Sequence, residues 1–134
     1  MVYNSYMNDI KSLAKIVEQD PRYPIEAYLF VIEALFSTRK KHGIQGHVTG
    51  EQLLEGIKDL ALQRYGSMTK MVFEHWGIKE TLDFGNIVFN MVNEKVLGKT
   101  EEDKLDDFKD IYDFDEVFVK KYTLDIKNHK NSKK

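Results

Sequence analysis

Ser67-Met68-Thr69-Lys70-Met71-Val72-Phe73-Glu74-His75-Trp76-Gly77-Ile78-Lys79-Glu80-Thr81-Leu82-Asp83-Phe84-Gly85-Asn86-Ile87-Val88-Phe89 is the stretch from which the fold class can be read. Ser67 is an N-cap candidate, Met68 to Trp76 has the length of a short helix, and Gly77 closes it. After a tight turn, Thr81 is placed to cap a second helix with Phe84, Ile87, Val88, Met91, Val92 and Val96 on its apolar side. Upstream, Thr49-Gly50-Glu51-Gln52 has the form of a capping box, and Leu53, Leu54, Ile57, Leu60, Ala61 and Leu62 follow at helical spacing until Gly66. Before it, Ile25, Tyr28, Leu29, Ile32, Leu35 and Phe36 predict a helix from Pro24 to His42, stopped by Gly43. Residues 3 to 19 predict one more, through Ile10, Leu13, Ile16 and Val17, ended by Asp20-Pro21.

Downstream of Leu97-Gly98 the helical period stops. Val96 to Thr100 and Phe108 to Phe114 read as two strands of a hairpin, although Thr100-Glu101-Glu102-Asp103 suits the start of a helical turn equally well. The expected fold class is therefore mainly α, about five helices with a C-terminal β-hairpin. Helix, tight turn, helix and hairpin in that order also suit a winged helix-turn-helix, with Met68 to Leu97 as the helical pair and Gly98 to Phe114 as the wing. No internal repeat and no Pro, Gly or Ser-rich linker divides the chain. Residues 1–119 are expected to form one domain and 120–134 a basic tail.

The composition suits such a domain: 134 residues, 42% apolar and 12% aromatic, are enough for a real core. There is no cysteine, which excludes disulfides, thiolate metal sites and cysteine nucleophiles. Together with an N-terminus that lacks a basic and then an apolar stretch, this gives an expected cytoplasmic, non-membrane location. The net charge of -2 offers no global attraction for nucleic acid, but it is unevenly spread. Residues 101–116 sum to -7 and residues 117–134 to +5. Burying unpaired carboxylates is costly, so Asp103, Asp106, Asp107 and Asp110 should stay wet while Phe108, Tyr112 and Phe114 turn inward.

No P-loop, GxGxxG, GxSxG or HExxH occurs. His42, His47, His75 and His129 share no ligand spacing, and the acidic block lacks a calcium-loop pattern. No catalytic residue, metal or cofactor is expected, and the chain reads as a non-enzymatic interaction or adaptor domain. In the winged-helix reading, Asp83, Asn86, Asn90, Asn93 and Glu94 would face a groove, but no arginine follows Arg64 and the acidic wing would repel phosphate. The alternative function is a nucleic-acid- or ribosome-associated factor, through that surface or through phosphate contacts from Lys120, Lys121, Lys127 and Lys130. The aromatics Trp76, Phe84, Phe89, Phe108, Tyr112, Phe114 and Phe118 exceed what a hairpin and two helices need; any exposed together would mark an interface. Gly85, inside a helix, points to close packing.

Asp20-Pro21-Arg22-Tyr23-Pro24 with Glu26-Ala27-Tyr28-Leu29-Phe30-Val31 resembles the opening of a small uncharacterised bacterial family first described from planctomycete and verrucomicrobial lineages. The likeness runs on through His47-Val48-Thr49-Gly50 with Leu53-Leu54-Glu55-Gly56, Trp76-Gly77-Ile78, Thr81-x-Asp83-Phe84-Gly85-x-Ile87-Val88-Phe89, Lys99-Thr100-Glu101-Glu102-Asp103 and Asp113-Phe114-Asp115-Glu116-Val117-Phe118. It spans about residues 12–119 and leaves out the lysine tail. It implies no activity or cofactor, and within it Arg22, Tyr23, Trp76, Asp83 and Phe84 stand out as the candidate interaction surface for a protein or ribonucleoprotein partner.

Overall fold

The computed structural model describes residues 1–4 and 9–121. The protein is mainly helical, with α1 (Asp9–Gln19), α2 (Ile25–His42), α3 (Gly50–Tyr65), α4 (Thr69–His75) and α5 (Thr81–Asn93). Helix α2 ends where Gly43 takes a left-handed conformation, φ 60°, and its N–H returns to the Arg39 carbonyl. Helix α3 begins with the capping box: Thr49 Oγ1 accepts from the Gln52 N–H at 3.1 Å, and Gln52 Oε1 accepts from the Thr49 N–H at 2.9 Å. Two expected caps are replaced. Thr69, not Ser67, heads α4, its hydroxyl donating to the Gly66 carbonyl at 2.7 Å across a 3-10 turn, Gly66–Met68. Glu80 is the N-cap of α5, and Asp83 reaches back to the N–H groups of Lys79 and Glu80 at 2.8 and 3.1 Å. Thr81 is thereby free to hold the downstream chain, donating to the Phe108 carbonyl at 2.6 Å and accepting from the Ile111 N–H at 3.2 Å.

The small antiparallel sheet pairs β1 (Val2–Tyr3) with β2 (Leu97–Gly98), Val2 opposite Gly98. Tyr3, expected at the start of the first helix, is thus in a strand, and residues 5–8 of that expected helix lie outside the described residues. The second strand expected at Phe108 to Phe114 does not form, so there is no wing among the described residues. The reason lies in the aspartates. Asp103 accepts from the Thr100 N–H at 2.9 Å, Asp107 from the Lys104 N–H at 2.9 Å, and Asp113 from the Glu116 N–H at 3.0 Å. Each of these side chains turns the backbone locally and competes with a ladder. The segment becomes a 3-10 turn, Leu105–Phe108, and a π-helical segment, Asp115–Lys120.

The core lies between α2, α3, α4 and α5. Phe73 stands at its centre, with ring centroids 5.1 Å from Phe84, 5.5 Å from Phe114, 5.4 Å from Phe118 and 6.0 Å from Phe30. Of the surplus aromatics, Trp76, Phe84, Tyr112, Phe114 and Phe118 join Phe73 in one connected cluster that pins the C-terminal segment to the helices, while Phe108 packs separately on Gly85 and Phe89 is half-buried. Phe108 and Phe114 are buried, Tyr112 is half-buried with its hydroxyl donating to the Leu54 carbonyl at 2.7 Å, and Asp106, Asp107 and Asp110 are exposed. Asp103 is half-buried beside the Met1 amino group, 3.4 Å away. Gly85 is a close-approach site: a Cβ there would lie 2.8 Å from Phe108 Cβ. No helix among the described residues is long and apolar enough to cross a membrane.

Candidate functional site

The loop between α1 and α2 carries the first two candidate residues. Arg22 folds back on Asp20, Nε to Oδ1 at 2.9 Å and Nη2 to Oδ2 at 2.7 Å. It also stacks its guanidinium over Tyr23, 5.2 Å from the ring centre. The hydrogen bonds from Arg22 hold the Asp20 carboxyl well below the usual carboxylate range. Tyr23 is buried, and its hydroxyl donates to Asp83 Oδ1 at 2.6 Å while accepting from Asn86 Nδ2 at 3.1 Å. Burial, reinforced by the Asp83 acceptor, raises the Tyr23 phenol well above its ordinary value. Asn90 completes the network, donating to Asp20 Oδ2 at 2.9 Å and to the Tyr28 hydroxyl at 3.0 Å. Gly77 brings the next loop against it with φ +77°, where a Cβ would be 2.5 Å from the Arg22 carbonyl oxygen.

Arg22, Tyr23 and Asp83 are therefore brought together, but as a latch that fastens the start of α2 to α5. Phe84 lies in the core at 0% exposure, so neither it nor Tyr23 lines an open surface. Asp83, Asn86 and Asn90, the polar positions that a recognition helix would show to a groove, are turned into this latch; Asn93 is exposed, and Glu94 pairs with Lys15 at 3.4 Å. Lys120 and Lys121 are exposed at the end of the π-helical segment, and Lys127 and Lys130 lie outside the described residues. Glu33 pairs with Arg64, and Arg39 donates to the carbonyls of Gln45 and Gly46.

Trp76 leads to a different surface. Helix α2 buries Ala27, Tyr28, Phe30, Val31, Ala34 and Leu35 inward, yet its outer side is apolar too, with Leu29 44% and Phe36 50% exposed. Leu29, Ile32 and Phe36 floor a groove of about 580 Å³ whose walls are Tyr65 and Trp76. Trp76 is itself only 8% exposed, wedged 5.4 Å from the Phe30 ring and 6.1 Å from Tyr65. At the rim, Arg64 Nη2 donates to Glu33 Oε1 at 2.7 Å, which lowers the Glu33 carboxyl; Glu26 stands exposed further along. Such a groove can enclose apolar side chains and orient them by charge at its edge. It has no nucleophile paired with a base. Sequence reasoning missed it because Leu29 and Phe36 stood in one apolar set with core residues; the signal that separates them is that α2 is apolar on more than one side.

A second cleft, about 570 Å³, lies between the start of α3 and the acidic segment, with His47, Glu51, Glu102, Asp106 and Asp107 on its walls. No three His, Asp or Glu side chains among the described residues are grouped to hold a metal ion. No family model matches the chain, and no curated protein or solved structure matches it.

Proposed function

We propose that the protein is a non-enzymatic interaction domain of the cytoplasm that binds a protein partner through the outer face of α2, and that it belongs with the bacterial family its motifs resemble. The observation that carries the reading is the pair Leu29 and Phe36, each close to half exposed beside a tryptophan, on a helix whose opposite side already fills the core. Large apolar groups are held in water at a cost of about 25 cal/mol per Å², which an apolar partner would recover. Nucleic-acid binding through α5 has no such support, since Asp83, Asn86 and Asn90 are engaged inside the molecule.

The test is a comparison of three forms: the parent chain, Phe36→Glu, and the chain ended after Phe118. Partner recovery lost in Phe36→Glu, retained in the shortened chain and insensitive to raised salt is the expected result. Recovery lost only with the tail, and falling steeply with salt, would give the role to phosphate contacts instead.

A further inference from the structure

Resting on that reading, we infer that the partner is a second copy of this chain, packed with its α2 antiparallel to the first. The argument begins with spacing. Glu26, Leu29, Glu33, Phe36 and Lys40 follow one another at three and four residues, so they form one stripe along α2, and all five are exposed. Leu29 and Phe36 repeat at seven residues, as do Glu26, Glu33 and Lys40, the pattern by which two helices pack side by side at a shallow angle.

The charges choose the direction. Glu26 sits in the first turn of α2, and Arg39, Lys40 and Lys41 in the last. A parallel copy would set Glu26 against Glu26 and lysine against lysine. An antiparallel copy, related by a two-fold axis passing between Ile32 and Glu33, sets Leu29 on the second copy's Phe36 and brings Glu26 within reach of the second copy's Lys40. Each contact then occurs twice, as an isologous interface requires, and the two helix dipoles oppose. Near the axis Glu33 is already neutralised by its own Arg64, so closing the interface strands no carboxylate. Tyr65 and Trp76 form the wall against which the second helix would rest.

Sedimentation and light scattering of the full chain read the outcome. The expected mass at tens of micromolar is twice 15.7 kDa. Phe36→Glu and Leu29→Glu should each yield monomer with an unchanged far-ultraviolet spectrum, the second variant guarding against a local effect of the first. Glu26→Lys alone and Lys40→Glu alone should each weaken association by about fivefold, while the double exchange restores it. A parent chain still monomeric at millimolar concentration, or a dimer indifferent to Phe36→Glu, would overturn self-pairing. If the parent is monomeric and Phe36→Glu still abolishes capture of a different protein, only the self-pairing falls. If the substitution changes neither mass nor capture, the groove reading falls with it.

Discussion

Gly85 shows how one missing carbon positions a whole segment. Its place in α5 costs helix stability, about 1 kcal/mol relative to alanine, yet the bare backbone lets Phe108 lie directly on the helix. A methyl there would meet Phe108 Cβ at 2.8 Å, an atom that no rotamer change can move, and Cγ at 2.9 Å. Gly85→Ala is expected to lower stability by about 1–3 kcal/mol, read from the urea midpoint, despite its better helix propensity. Asp20 offers a second check at the same scale. Arg22 depresses its folded-state pKa, so its contribution is complete above the unfolded carboxylate value near 4 and is lost as pH falls through the lower folded value. The midpoint difference between the parent and Asp20→Asn should therefore be full at neutral pH and narrow steadily below about pH 4. A gap that widens on acidification would contradict the pairing.

Among the elements, the acidic segment separates what costs stability from what does not. Asp107 caps the 3-10 turn, while Asp106 beside it is exposed to solvent. Asp107→Ala should cost about 0.5–2 kcal/mol, the usual range for a lost cap. Asp106→Asn should cost no more than about 0.5 kcal/mol, as at an ordinary surface position. Phe114→Ala empties part of the aromatic cluster, where Phe73, Phe84 and Phe118 surround the ring. Its expected cost is about 3–5 kcal/mol. Denaturant melts that ranked Asp106→Asn above Phe114→Ala would make the acidic face a structured site.

This segment also marks the limit of what the sequence discloses. The bounds of α2 and α3 were legible because Pro24, Gly43 and the Thr49–Gln52 box act within one turn of the chain. The inward turn of Phe108 and Phe114 was legible too, since burial preference is a property of the residue. The missing hairpin was not, because the same alternation serves a strand or a string of aspartate-capped turns, and the partner of β2 depends on a strand at the far end of the chain. The groove over α2 was hidden for a related reason: where a helix carries Leu29 and Phe36 outside as well as Phe30, Val31 and Leu35 inside, periodicity does not tell the inner side from the outer.

At the scale of the whole molecule, one cluster of rings ties α2, α3, α4, α5 and the π-helical segment together. No part of the described chain has a core of its own, so the protein is expected to unfold in one step. Fluorescence of Trp76, the single tryptophan, and far-ultraviolet dichroism should trace coincident transitions. An earlier loss of one signal would mean that the C-terminal segment melts independently.

The pairing of Val2 with Gly98 has a kinetic meaning as well. Joining β1 to β2 closes the long loop between Tyr3 and Leu97, an entropic cost that only two short strands offset directly. Such a contact is favoured late, after the helices have collapsed and brought the ends near each other. Leu97, buried in β2, is the residue to probe. Leu97→Ala, at about 2–5 kcal/mol, is large enough for a reliable ratio of activation to equilibrium change, and that ratio should be close to zero. The substitution would then hasten unfolding while leaving the refolding rate nearly untouched, so the sheet sets how long the native state lasts and has little say in how quickly it is reached.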